Sequence, residues 1–432
     1  MNLPGFSLLM IRYKKLSLNG AFHLKENLSK QNVVTFSLTY LLSTFGYEFI
    51  FFIMTVHVYD LTQNALNVSI FTVLTFIPKF FAPFYGAIAD RYQRQWVLGG
   101  TALVTAGLMF CLSLTRAVEL IYLLWFLISV ALTLIANVRG SLFAEVLPTQ
   151  NYQTGNSIML ILSNSARLLA PLLGGAATLL VQREFLFYGV ALIYITAAVL
   201  SMFIKPISRL EPAARASTPG DWSAGFQYIK NNKAIKYLVA VGFLWRLFLG
   251  LQVSLWIIYI KSFLNGNDAQ YGYFMTLIGL GSVLGSLLGA WASKKFRLKR
   301  MIILGLSLHY ATFAALGLIN QFAAACLVVF ISFMVFYATL VSMHTLRDRA
   351  TQSAIRGRVY GAVTALITPP AIVSMLVGGY LVEMVGVNWI FLLSGGLAVA
   401  SLVGISLAKS FSTNGAFFQN LSVGEGVNDK IV

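Results

Sequence analysis

Four ionisable side chains stand inside long apolar runs of this chain: Glu48, Lys79, Arg167 and Arg246. Each lies within a few residues of the middle of its run, too deep for the side chain to reach water by extending along the chain. A charge at the centre of a hydrocarbon layer costs about 2.5–3.5 kcal/mol on insertion scales, so each asks for a partner or a task. A carboxylate in low dielectric beside a base is a natural proton switch, which makes Glu48 the proton-coupling candidate. Three bases against one acid leave the interior positive when all are ionised. That balance suits an anion bearing a carboxylate, catecholate or phosphate, or a zwitterion. The plainer alternative is an ion pair that fixes packing, with Glu48–Lys79 the obvious one.

Helical spacing gathers other polar residues around these charges. Ser37, Thr44, Glu48 and Thr55 fall on one face, and Asn156, Ser163, Asn164, Arg167, Pro171, Gly174 and Thr178 on another. Arg167, Arg246, Lys79, Asn164 and Thr44 are therefore the cavity candidates. His309 and His344 are also titratable, but a lone histidine in an apolar run is more often a hydrogen-bonded packing residue. Cys111 and Cys326 have no partner at metal or disulfide spacing and read as packing residues.

The elements that hold these residues must cross a membrane. Hydrophobic residues make up 58% of the chain and charged ones 10%, against about 25% charged in soluble domains. Twelve spans are expected, near 32–59, 67–89, 95–115, 117–137, 156–181, 185–205, 237–262, 271–292, 301–319, 322–345, 359–382 and 388–408, each about 20 residues or more. The net charge of +17 is a topological signal and not a nucleic-acid surface. Of the Lys and Arg residues, 25 fall on the side that holds both termini, and only Arg116, Arg183 and Lys261 on the other. The expectation is a multi-pass protein of the cytoplasmic membrane with both termini in the cytoplasm. Arg12, Lys14 and Lys15 follow the apolar run Phe6–Met10 instead of preceding it, so the N-terminus is not a cleavable signal.

One short loop occurs twice, about half a chain apart. Gly86, Asp90, Arg91 and Arg94 in the first copy correspond to Gly289, Ser293, Lys294 and Arg297 in the second. Two similar halves in a membrane protein point to a carrier. The expected organisation is an N-terminal cytoplasmic tail 1–31, a six-helix half 32–205, a cytoplasmic linker 206–236, a second six-helix half 237–409 and a cytoplasmic tail 410–432. Within the linker, Asp221 could cap an amphipathic helix with Trp222, Phe226 and Ile229 on one face.

The doubled loop resembles the one between helices 2 and 3 that marks the major facilitator superfamily. Finer features resemble its drug-and-siderophore exporter branch, which includes macrolide efflux proteins and the enterobactin exporter. These are Asp60-Leu61-Thr62 with Asn64-Ala65, Gly225-Phe226 with Lys233, and Arg356-Gly357-Arg358-Val359-Tyr360-Gly361. The resemblance implies an all-α fold of twelve transmembrane helices in two pseudo-symmetric halves, and a monomer. It implies a conformational latch in which Asp90 acts against Arg139 and Arg358, supported by Gly86, Arg91, Arg94, Gly289, Lys294 and Arg297. Ala170-Pro171 stands where antiporters of this group often show a glycine.

The expected function is secondary active, proton-coupled export of a small amphipathic compound, anionic or zwitterionic, by alternating access. Its partners are that substrate, protons and the lipid bilayer, and no cofactor is called for. No phosphate-binding loop is present, so ATP is not the direct energy source. The alternatives are a lysophospholipid flippase, an iron-chelate importer, or, in another class, a non-transporting sensor or assembly partner. Neither a zinc-binding His-Glu pair nor a nucleophile elbow appears, which speaks against an enzyme.

Overall fold

In lipid every backbone polar group must be satisfied within the protein, and the chain meets that demand with helices. The computed structural model describes residues 4–81, 84–85, 88, 91–146, 152–205, 222–351 and 355–407. Among the described residues, twelve helices form the bundle. The first six are α1 (Pro4–Thr62), α2 (Ala65–Phe76), α3 (Arg94–Ser113), α4 (Val118–Val146), α5 (Tyr152–Leu180) and α6 (Arg183–Met202). The second six are α7 (Lys233–Val253), α8 (Asp268–Lys295), α9 (Leu298–Leu316), α10 (Phe322–Arg349), α11 (Arg356–Val385) and α12 (Val387–Leu407). Among the described residues, ten are long and apolar enough to cross a membrane on their own; α2 and α9 complete the bundle.

Several boundaries differ from the expected spans. The chain from Pro4 continues the helix of α1, where a separate tail was expected, and the apolar span within it is Gln31–Thr62. α4 runs on to Val146, because Ala136–Val146 holds no proline and its single glycine, Gly140, costs only about 1 kcal/mol. α2 gives way to a 3₁₀ turn at Ile77–Phe81, and Pro78 inside it cannot donate the backbone bond that an α-helix needs. α7 is interrupted at Ser254 and Leu255, resumes at Trp256–Ile258 and ends in a π turn, Tyr259–Phe263. The short amphipathic helix is present as Trp222–Asn231. Asp221 and the C-terminal tail lie outside the described residues.

Helices associate in lipid by close packing, which favours small residues at the contact. On α8, Gly289 of the doubled loop lies so close to α10 that an added Cβ would sit 2.7 Å from the Ala338 Cα. The half containing α7–α12 is filled by an aromatic cluster around Trp256, whose ring lies 5.1 Å from Phe313 and 5.3 Å from Phe274. Between α11 and α12 the chain turns at Gly386, where φ is 83°.

Candidate functional site

α1 divides its polar residues between two neighbours. Glu48 faces α5, where the Arg167 Nε lies 3.6 Å from its carboxylate. Arg167 is 46% exposed and Glu48 21%, so the pair sits at the wall of a space and not inside packed core. Lys79 follows α2 and Arg246 lies on α7, so the four membrane charges are carried by elements of both halves. The expected Glu48–Lys79 ion pair is not formed; α5 supplies the partner instead. Lys79 is carried by the 3₁₀ turn after α2, so its depth cannot be extrapolated with α-helical rise, and its Nζ lies 4.3 Å from the Phe76 ring centroid. Arg246 stacks on Trp245 at 4.7 Å, and its buried Nε has no hydrogen-bond partner. Among the described residues no carboxylate is within ion-pair distance of Lys79 or Arg246. Asn164 is half-buried on α5, one turn before Arg167.

Thr44 turns the other way, towards α4. Arg139 donates to Thr44 Oγ1 and to Ser43 Oγ, each at 2.7 Å, and to the Tyr40 carbonyl at 3.2 Å. Its guanidinium also lies 4.6 Å from the Tyr40 ring centroid. Arg139 lines a partly open cavity of 340 Å³ framed by α1, α2 and α4; its expected latch partner Asp90 lies outside the described residues.

One end of the bundle is tied across the halves. Arg183, at the start of α6, pairs with Asp60 near the end of α1 and reaches Asp268 at 3.4 Å. Lys261, in the π turn after α7, bonds Asp60 at 2.5 Å and also pairs with Asp268 at the start of α8. Two acids and two bases thus alternate around a ring. Nearby, the backbone amide of Ala65 donates to Glu383 at 2.6 Å, Ser69 meets Ser254 at 2.8 Å and Tyr59 meets Ser262 at 2.6 Å. α5 and α8 touch backbone to backbone: a Cβ on Gly175 would lie 3.0 Å from the Gly272 Cα. This ring was missed in the sequence. Its signal was present in Arg183 and Lys261, two of the three bases on their side, with Asp60 and Asp268 beside them in the loops.

Of the expected latch, Gly86 and Asp90 lie outside the described residues. Arg91, Lys294, Arg297 and Arg358 are exposed. Arg94 is buried and forms a 2.6 Å ion pair with Glu145 at the end of α4, with a further bond to the Ser141 carbonyl at 3.3 Å. Glu145 escaped the sequence reading because it falls beyond the expected end of its span. His309 is a packing residue, its Nδ1 2.9 Å from Ser332 Oγ and its ring stacked on Phe336. His344 is exposed near the end of α10.

Comparisons agree with this architecture. An uncharacterized MFS-type transporter of Bacillus subtilis (strain 168), YfiS, is 24% identical over 383 residues, covering 83% of this chain and 89% of its own. The crystal structure of the nucleoside transporter NupG superposes with a TM-score of 0.70 at 15% identity, covering 90% of this chain and 100% of that one. A bacterial homolog of the human lysosomal transporter Spinster, in an inward-facing and unoccupied conformation, gives 0.65 at 12% identity, covering 91% and 97%. At these identities the structural likeness speaks to the fold. The sequence profile of the Major Facilitator Superfamily matches residues 36–368 and, in a second match, 250–414. With most of its length inside that profile and twelve helices in two halves, this chain belongs to the Major Facilitator Superfamily and is a secondary transporter of that type.

Proposed function

We propose that the chain is a proton-coupled exporter of a small amphipathic compound that carries an oxyanion, most simply a zwitterion, across the cytoplasmic membrane. The observation that carries the reading is the Glu48–Arg167 pair at mid-span, with the further cations Lys79 and Arg246 also deep in the spans and no carboxylate at ion-pair distance from either among the described residues. An excess of cations in low dielectric favours a ligand that brings negative charge. With both termini in the cytoplasm, the ring of Asp60, Arg183, Lys261 and Asp268 seals the outer end, and the substrate path leads to the inside.

The direction of coupling depends on the charges the substrate brings. The cationic group of a zwitterion competes with a proton for Glu48, and such competition is what exchange requires. A pure anion that takes Arg167 leaves Glu48 without its base and favours its protonation, so anion and proton then travel together. The second course is the iron-chelate importer reading, favoured by the choice of Arg167 over Lys79 as the partner of Glu48.

Energised inside-out vesicles separate these outcomes. Proton release on adding a zwitterionic amphiphile, lost in Glu48→Gln, supports export by exchange. Proton uptake with an anionic iron-chelator supports cotransport. Release with lipophilic cations alone would overturn the charge-balance argument and make the protein a general drug pump. No proton movement with any compound would favour the lysophospholipid flippase.

A further inference from the structure

Inside the first half, α1, α2 and α4 frame a partly open 340 Å³ cavity whose surface is mainly apolar, with the side chains of Arg139, Lys79, Ser129 and Asn137 set into its wall. Arg139 lies in its wall, held by the Ser43 and Thr44 hydroxyls and the Tyr40 carbonyl. All three are neutral acceptors, and the Arg139 Nε is buried with no partner. Lys79 lines the same cavity, again with no carboxylate at ion-pair distance among the described residues. The Ser129 hydroxyl lines it too; Ser129 is 3% exposed and its oxygen is buried without a hydrogen bond. Among the described residues Arg139 has only neutral acceptors, and a largely desolvated charge held that way is costly to maintain, as is the orphaned Ser129 hydroxyl beside it. The exposed Lys79 adds a second cation at the rim of the same space. A ligand oxyanion supplies what the protein leaves out.

We propose that this cavity binds the oxyanion head, a phosphate or carboxylate, of the transported compound, with Lys79 and Arg139 as its charge partners and Ser129 and Asn137 as hydrogen-bonding groups. Arg139 contributes a fixed fork and Lys79 a mobile point charge, the combination that suits a phosphate or carboxylate. The volume lies at the low end of the range for small-molecule sites, about 300 to 1,000 Å³, and suits a head with a short tail. The remainder of the ligand extends past Tyr47 towards Glu48, the next residue on α1. The head is therefore held by one half alone and moves with it. This assignment rests on the reading above that the substrate carries a negative charge.

Isothermal titration of the full-length chain in phosphatidylcholine nanodiscs tests it, with hexyl phosphate, hexanoate, hexyltrimethylammonium and inorganic phosphate as probes. Hexyl phosphate is expected to bind the wild type and to be displaced by inorganic phosphate. Lys79→Gln alters an exposed side chain and Arg139→Lys keeps the charge; each is expected to weaken hexyl phosphate about tenfold, the scale of one charge-assisted hydrogen bond. Loss of binding when phosphatidylglycerol is added to the discs identifies a lipid head as the occupant, and indifference to that lipid identifies a soluble compound; both leave the oxyanion site standing. Wild-type affinity in both variants would overturn the site while leaving an anionic substrate intact. Binding of hexyltrimethylammonium with no binding of hexyl phosphate would overturn the anionic substrate itself.

Discussion

Glu48 and Arg139 show how much one helical turn decides. Residues 43, 44 and 47 of α1 look towards α4, whereas residue 48 looks towards α5, so a stripe that reads as continuous in sequence serves two different partners. Glu48→Gln is expected to abolish substrate-driven proton movement while preserving exchange of labelled substrate across the membrane; loss of both would make Glu48 a packing residue. Arg94→Gln removes the 2.6 Å ion pair from the buried Glu145 carboxylate, and breaking a buried pair costs up to about 3–5 kcal/mol. A marked fall in the thermal midpoint of the purified protein is expected, with partial recovery when Glu145→Gln is added. The central charges were legible in the sequence because a charge in an apolar run stands out. Arg139 was legible as a latch residue by resemblance but not as a cavity residue, because it falls just beyond the end of its expected span.

At the scale of elements, the distal ring joins four helix ends that are far apart in sequence: α1 and α6 from one half, α7 and α8 from the other. Lys261→Gln removes both of that residue's bonds and is expected to shift the population several-fold towards states open at this end. Spin-label distances across the ring would report the shift; unchanged distances would leave the ring a surface ornament. Gly272→Val acts on the same equilibrium by sterics, since its side chain cannot fit beside Pro171 and Gly175 of α5. It should also populate the state open at this end. The sequence made the members of this ring visible one at a time but not their pairing, because no local spacing relates Asp60 to Lys261. The interruption of α7 was equally hidden, as neither Ser254 nor Leu255 is a residue that breaks helices. Its Ser254 finds a partner in Ser69 of the opposite half, so tertiary contact overrides local propensity there.

For the whole molecule, the doubled loop and the even distribution of apolar runs revealed two halves and their twelve helices. What they could not reveal was the state in which the halves meet, since that depends on side chains packed across an interface. If export is correct, variants that open the distal end should release substrate faster to the outside, measured as efflux from preloaded cells. The excess of bases over acid at mid-span has one more consequence. A carrier whose binding space bears net positive charge is itself a voltage-sensing particle, because each switch of access changes where that charge sits in the transmembrane field. One elementary charge moved fully across 100 mV is worth about 2.3 kcal/mol, and even a fraction of that biases two conformations of similar energy. The empty carrier is drawn towards the electrically negative side, and an anionic cargo, by cancelling the charge, relaxes the pull. If the proposed charges line the binding space, membrane polarisation acts as a return spring for the unloaded protein.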